Sequence, residues 1–472
     1  MEIDFKKVKK VYLLGIGGVG MGNLAGMLKE SGKVVSGSDR QIYSPMKEYL
    51  EGIGVDLKIG FKPENLKEKP DLVIVGNVIT RDNPEAQEML RQNIPFVSMP
   101  EAIREFFLKD RKVIVIAGTH GKTTTTALLG WLLYSSGRSP GVLLGGVSKN
   151  FNSGFFLGGG EYFVIEGDEY DTAFFDKGPK FLHYHPRILV LTTIEFDHGD
   201  IYRDLDAVKG SFRRLVQTLP PDGFMVYGSY SDNVRDVINS SFIPSVSAGE
   251  QGFWDYREVV FKDNYTEFTV IKDKKIFGRF KWKMWGLHNI RNALLAMAVA
   301  EYAGLQPEEI ARGLLTFEGV KRRQEIIGEF NGVLLIDDFA HHPTEVRETI
   351  SAVKKRYPDR RIWAVFEPRS NTSRRRFFQD LYPGAFMEAD CIIISDVFNK
   401  NAIEDGFRLA PEKIVEELQK RGKKAEFIAS PEGIVKFLKD NTDNGDVVLV
   451  MSNGSFGGLI EMLKQTLSGN ST

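Results

Sequence analysis

Residues Val113–Thr126 read VIVIAGTHGKTTTT. The apolar run Val113–Ile116 predicts a buried strand, Gly118 and Gly121 a tight loop, and Lys122-Thr123 the start of a helix. A strand–loop–helix of this kind aims backbone N–H groups and a helix N-terminus at an anion. Lys122 then reaches the β- and γ-phosphates of a nucleotide, and the Thr123 hydroxyl sits on Mg²⁺. The general phosphate-loop pattern places a glycine five residues before Gly121, where this chain has Ile116. The loop is therefore a short variant, less general as a motif and more telling of a family. A glycine-rich turn capped by threonines is the alternative reading.

Outward from this stretch, 472 residues are too many for one hydrophobic core, so two to four domains are expected. Acidic and basic residues nearly balance, 63 against 62, which argues against a protein that coats a polyanion such as nucleic acid. The single cysteine, Cys391, excludes intramolecular disulfides and, lying in an apolar run, reads as a buried thiol of a reducing compartment. The opening MEIDFKKVKK lacks an apolar signal core, and no apolar run is long enough to span a bilayer. A soluble cytoplasmic protein with no membrane association is the expectation.

Before the loop, Val11–Leu14 and GIGGVG read as a strand and a glycine turn leading into a helix. Gly15, Gly17 and Gly20 fit GxGxxG, and Asp39 follows about twenty residues on, after the strand-like VVSGS. This pattern is equally consistent with NAD, with a nucleoside diphosphate, or with glycines needed only for packing. Asp71–Gly76 and Pro95–Met99 add two short strands, so the first hundred residues read as a small parallel α/β domain able to hold a pyrophosphate. Arg104–Lys112 reads as a boundary helix and linker.

After the loop, the strand Tyr162–Ile165 ends in Glu166, Asp168, Glu169 and Asp171, and Ile188–Ile194 ends in Glu195, Asp197, His198 and Asp200. In a parallel sheet such strand ends gather at the edge that carries the phosphate loop, where carboxylates and a histidine suit Mg²⁺. Glu258–Trp285 alternates apolar and polar residues, predicting antiparallel hairpins. Gly286–Asn292 enters an apolar helix, with His288 or Asn289 either as its N-cap or as a nucleobase contact. Five further strands are expected: Val333–Ile336, Ile362–Phe366, Cys391–Ser395, Ala425–Ile428 and Val447–Met451. They frame DDFAHHPTEV (Asp337–Val346), FEPRSNTSRRRF (Phe366–Phe377) and MSNGSFGG (Met451–Gly458). Arg374–Arg376 reads as a solvated helix face.

Taken together, GIGGVGMG, GTHGKTTTT, EGDEYD, IEFDH, GLHNIRNA, the KRR of Lys321–Arg323 and DDFAHHPTEV resemble the Mur ligase family of cell-wall enzymes, in order along nearly the whole chain. The resemblance implies an α/β chain of three domains: a Rossmann-like UDP-binding domain (1–108), a central P-loop ATPase domain with antiparallel edge strands (109–323) and a Rossmann-like C-terminal domain (324–472). It implies ATP-dependent amide formation through an acyl phosphate. The acceptor acid is UDP-N-acetylmuramate. The amine is the recycled tripeptide L-alanyl-γ-D-glutamyl-meso-diaminopimelate, or alternatively L-alanine.

By the same resemblance, Gly118, Thr119, His120, Gly121, Lys122, Thr123 and Thr124 hold the ATP phosphates. His288, Asn289 and Asn292 contact adenine, and Arg323 and Asp338 contact phosphate and ribose. Thr123, Glu166 and His198 bind Mg²⁺, and His341 joins Lys122, His198 and Arg323 at the catalytic centre. Gly15, Gly17, Gly18, Gly20, Asp39 and Asn83 face the UDP-sugar. Arg369, Ser370, Asn371, Asn453 and Ser455 face the peptide, whose carboxylates need cations and amide donors. Lys209, the nearest lysine after His198, is not expected to be carbamylated, and a monomer or weak homodimer is expected.

Overall fold

The computed structural model describes residues 3–262 and 264–469. The chain forms two compact units: one runs to Ile194 and takes in Asp206–Asp255 and Leu294–Glu318, and the other comprises Glu195–Leu205, Tyr256–Ala293 and the chain from Gly319.

In the first unit, β1 (Lys10–Leu14), β2 (Val34–Asp39), β3 (Asp56–Ile59), β4 (Leu72–Val75) and β5 (Phe96–Ser98) make an all-parallel sheet in the order β3-β2-β1-β4-β5. The order reverses between β1 and β4, which opens a crevice at the carboxyl ends of those strands. Tyr12, Leu14, Val73 and Val75 are buried on one face, as alternation along β1 and β4 requires. The expected boundary helix is a single π-helical turn, Arg104–Leu108, continuing the short helix Met99–Ile103, and a short link leads to the next strand at Lys112.

The phosphate-loop strand β6 (Lys112–Ala117) lies inside a second sheet with β7 (Gly141–Ser148), β8 (Ser153–Leu157) and β9 (Tyr162–Gly167). Beyond a small hairpin, β10 (Asp171–Ala173) and β11 (Asp176–Pro179), come β12 (Ile188–Leu191), β13 (Phe224–Gly228) and β14 (Ser245–Ala248). Their order is β14-β13-β12-β6-β9-β7-β8, parallel except for β8. Ala117 pairs in register with both Gly167 and Leu191, so β6, β9 and β12 end at one edge. The core residues Ile114–Ala117, Val164, Leu189 and Val190 are fully buried, which is why they read as continuous apolar runs. β15 (Trp254–Phe261) starts beside β14 through Ala248 and Trp254.

In the second unit, β16 (Thr266–Lys272) and β17 (Lys275–Trp282) form the antiparallel hairpin that the alternation predicts, with Phe268 opposite Phe280. The C-terminal sheet has six strands: β18 (Glu325–Phe330), β19 (Val333–Asp338), β20 (Ile362–Phe366), β21 (Cys391–Ile394), β22 (Lys424–Phe427) and β23 (Val447–Met451), ordered β18-β19-β23-β20-β21-β22. Five of them match the expected strands. β18 was not foreseen because it is an antiparallel edge strand whose residues are all half-buried or exposed, so it carries no apolar run. Two clusters cover the faces of this sheet, one including Ile336, Ala364 and Phe366, the other Leu335, Val365 and the free thiol of Cys391. No helix among the described residues is long and apolar enough to cross a membrane.

Candidate active site

The loop after β6 turns on two glycines in the left-handed region, Gly118 (φ 136°) and Gly121 (φ 81°). A Cβ on Gly118 would lie 2.1 Å from Thr192 Oγ1, so the strand end of β12 leaves no room for a side chain there. Gly121 caps the helix Lys122–Ser135, as the sequence predicts. The N–H groups of Thr119 and His120 donate to Thr193 O (2.7 Å) and Thr193 Oγ1 (3.0 Å). They brace the loop against the segment that follows β12. Thr124 is buried in the first turn of the helix.

Lys122 Nζ donates to the Gly118 and Thr119 carbonyls (2.5 and 3.1 Å) and pairs with Glu169. Burial alone would draw its proton off, but Glu169, Glu166 and Asp168 outweigh that and raise the ammonium above its ordinary value. Thr123 Oγ1 donates to Glu166 Oε1 at 3.0 Å, and Gly145 N–H holds the other carboxylate oxygen at 2.8 Å. A hydroxyl and a carboxylate side by side form an oxygen-only donor pair of the kind Mg²⁺ takes. Asp168 is held by Lys180 at 2.8 Å. Lys209 pairs with Asp236 at 3.1 Å.

In the first sheet, the crevice beside β1 and β4 opens into a cavity of about 460 Å³ lined by Asp39, Arg40, Phe61, Asn83 and their neighbours. The glycine turn meets it through Gly17 N–H, which donates to Asp39 Oδ2 at 2.8 Å. Asn83 caps the helix Pro84–Arg91 by accepting from the Glu85 and Ala86 N–H groups, so its side-chain oxygen is committed to the helix while the residue lines the cavity.

In the second unit a chain of polar contacts joins residues far apart in sequence. His198 stands in the left-handed region at φ 55°, an uncommon backbone state for a residue with a side chain. Its ring Nε2 lies 3.9 Å from Asp197 Oδ2, and His341 Nε2 lies 4.0 Å from the same oxygen. Burial opposes the Asp197 charge, but His198, His341 and His342 hold the carboxyl well below the usual carboxylate range. His341 Nδ1 faces Glu345 Oε2 at 3.3 Å, and Glu345 Oε1 lies 3.8 Å from Arg323. Thr344 Oγ1 donates to Glu195 at 2.6 Å.

Asp338 is buried and accepts from Gln324 N–H (2.7 Å) and Ala340 N–H (2.8 Å), and burial raises its pKa. Gln324 accepts from Asn289 Nδ2 at 3.1 Å, and Asn292 donates to Asn289 at 3.3 Å. The helix Leu287–Tyr302 begins before His288 and Asn289, so neither is its N-cap; Asn289 instead bonds back to Trp285 O at 2.8 Å.

Of the residues expected to face peptide, Arg369 lies flat on Phe398, 3.7 Å from the ring centroid, with Nη1 3.3 Å from Glu367. Ser370 caps the turn at Ser373, and Asn371 donates to Asp200 at 2.8 Å, two residues from His198. Asn453 is half-buried and Ser455 exposed. Arg374–Arg376 is not a helix face: Arg374 donates to Asn371 Oδ1, Arg375 bridges to Arg408, and Arg376 donates to Arg408 O.

From sequence, Gln324 and Glu345 have no assigned role, and Glu169 and Asp197 stand only as strand-end carboxylates suited to Mg²⁺. Glu345 was within reach, since it stands in the first turn of the helix that opens two residues after His341; the others depend on which segments meet.

Three family models match successive stretches: the Mur ligase family catalytic domain at 10–111, the middle domain at 116–300 and the glutamate ligase domain at 322–454. The chain is 37% identical, over 97% of its length and 98% of the relative's, to the UDP-N-acetylmuramate–L-alanyl-γ-D-glutamyl-meso-2,6-diaminoheptandioate ligase of Escherichia coli (strain K12). It is 34% identical, over 96% of its length and 97% of the relative's, to the UDP-N-acetylmuramate–L-alanine ligase of Caldanaerobacter subterraneus subsp. tengcongensis. Among solved structures, a murein peptide ligase from Psychrobacter arcticus 273-4 superposes with a TM-score of 0.73 at 33% identity, covering 98% of this chain and 99% of that one. The chain belongs to the Mur ligase family, the ATP-dependent amide-bond-forming ligases.

Proposed function

We propose that the chain joins the lactyl carboxylate of UDP-N-acetylmuramate to the amine of L-alanyl-γ-D-glutamyl-meso-diaminopimelate at the expense of ATP, a cytoplasmic step of peptidoglycan recycling. The observation that carries this reading is the near full-length match, at 37% identity, to an enzyme named for those two substrates. The segments Glu169–Pro186, Glu367–Thr372 and Met451–Gly458 resemble those of tripeptide-joining ligases more than those of alanine-adding ones, which supports the same choice.

A carboxylate offers an amine no usable leaving group. Transfer of the γ-phosphoryl group from ATP to the carboxylate gives an acyl phosphate; the amine attacks its carbonyl, and phosphate departs from the tetrahedral intermediate. Both steps bring negative charges together, so cations carry most of the catalysis. Residues 1–108 hold the nucleotide sugar, 109–323 the ATP phosphates, and 324–472 the peptide. Lys122 exchanges Glu169 for the β- and γ-phosphates, while the N–H groups that open the helix Lys122–Ser135 meet the same oxygens. Thr123 and Glu166 would hold one Mg²⁺ and His198 would help hold a second; bound there, Mg²⁺ neutralises phosphate charge. His288, Asn289 and Asn292 meet adenine, Arg323 and Asp338 serve phosphate and ribose, and Arg369 faces a peptide carboxylate.

The test is phosphate release with ATP, Mg²⁺ and UDP-N-acetylmuramate, comparing tripeptide with L-alanine. Turnover with the tripeptide is expected; turnover with alanine alone keeps the chemistry and overturns the substrate.

A further inference from the structure

Glu85 is fully buried, yet no cation pairs with it among the described residues. Its carboxylate accepts four bonds from uncharged groups: Tyr12 Oη (3.1 Å) and Ser38 Oγ (2.5 Å) on Oε2, and Lys62 N–H (2.9 Å) and Asn65 Nδ2 (2.5 Å) on Oε1. Burying a carboxylate without a cation is costly, and a side chain needed only for packing would serve better as an apolar group. The four donors come from three stretches of chain, and two of those stretches, together with that of Glu85 itself, wall the 460 Å³ cavity beside β1 and β4. Ser38 precedes Asp39, Lys62 follows Phe61, and Glu85 itself follows Asn83 and Pro84; Asp39, Phe61, Asn83 and Pro84 all line the cavity. Asp39 in turn receives the N–H of Gly17, so the glycine turn is coupled to the same anchor. Burial and the Glu85 charge hold the Tyr12 phenol far above its usual pKa, which keeps it a donor.

We propose that Glu85 is a positioning residue for this cavity, its carboxylate locking the walls at Asp39, Phe61 and Asn83 into the arrangement that receives the nucleotide sugar. The inference rests on the reading of the cavity as the UDP-sugar site. Glu85 does not touch substrate; it acts through the segments it ties together.

Glu85→Ala removes all four acceptor contacts, whereas Glu85→Gln keeps them, because the Tyr12 and Ser38 hydroxyls can rotate to accept from the new amide. The experiment measures UDP-N-acetylmuramate binding by calorimetry on the full chain, and the kinetic constants for each substrate. Glu85→Ala is expected to raise the KM for UDP-N-acetylmuramate about tenfold or more, with kcat and the ATP KM within about twofold, and Glu85→Gln to return the KM to within about threefold of wild type. Should Glu85→Ala fail to fold by circular dichroism, Asn65→Ala, at a half-buried position, carries the test with an expected rise of about threefold. Wild-type protein that binds no UDP-N-acetylmuramate overturns the reading of the cavity and the inference with it. Wild-type binding with unchanged affinity in Glu85→Ala and Asn65→Ala overturns the inference alone, as does a fall in kcat with KM unmoved.

Discussion

The ammonium of Lys122 and the carboxylate of Glu169 form an ion pair, Nζ to Oε2 3.1 Å, with the side chains only 13% and 3% exposed. The lysine that the proposed reaction needs on phosphate is thus held by a carboxylate just past the end of β9 and by two carbonyls of its own loop. Removing one member of such a pair leaves a buried charge without compensation, which costs more than the pair contributes. Lys122→Ala should therefore abolish turnover and lower stability by about 3–5 kcal/mol. The double variant Lys122→Ala/Glu169→Gln should regain most of that stability and none of the activity. Urea unfolding of both variants checks it: a double variant no more stable than the single would show that the pair is not what sets the loss.

Thr123 and Glu166 make a second pair at the same strand edge. Thr123→Val keeps the shape of the side chain and deletes the oxygen. We expect the Mg²⁺ concentration for half-maximal phosphate release to rise about tenfold, while melting temperature barely moves. An unchanged Mg²⁺ profile would remove Thr123 from the metal site.

Arg369 presents a flat guanidinium stacked on Phe398. Stacking and two-pronged hydrogen bonding both need the planar group, so lysine is a poor substitute. Arg369→Ala should raise the tripeptide KM at least about tenfold with the ATP KM little changed, and Arg369→Lys should recover only part. Equal effects on both constants would assign Arg369 to nucleotide binding or closure.

A buried and a half-buried group give stability opposite pH slopes in one window. Burial pushes Asp337 up to about 6 from 3.8, against the pull of Arg322. Between those values the folded chain keeps a proton that the unfolded chain has released, so the Asp337 contribution falls as pH rises. Burial, helped by the Arg291 charge, takes His288 down to about 4 from 6.5. Here the unfolded chain binds the extra proton, so its contribution grows as pH rises from about 4 to 6.5. Urea midpoints at pH 4 to 7 should show wild type losing ground to Asp337→Asn on going up in pH and gaining ground on His288→Gln. Each change is on the order of 1–2 kcal/mol. Difference curves that run in the same direction would contradict the assignment.

The sequence by itself determined the elements that obey local rules. β6 with its two left-handed glycines, the helix from Lys122, the all-parallel first sheet and the β16–β17 hairpin were legible because apolar period, glycine conformation and helix start are properties of a few adjacent residues. Tertiary structure decided which of the flagged groups meet. Glu169 closes on Lys122 from 47 residues away because β9 lies beside β6, and Asp197 gathers two histidines, His198 beside it in the chain and His341 from the loop after β19. The N–H groups of Thr119 and His120 meet Thr193 because β12 flanks β6 on the other side. Glu85, a helix residue unremarkable in sequence, meets Tyr12 from 73 residues away and acquires its role only from the walls it joins. Strand order is set by the burial of whole apolar faces, a sum over the sheet that no local pattern encodes, and with it comes the identity of each carboxylate's partner.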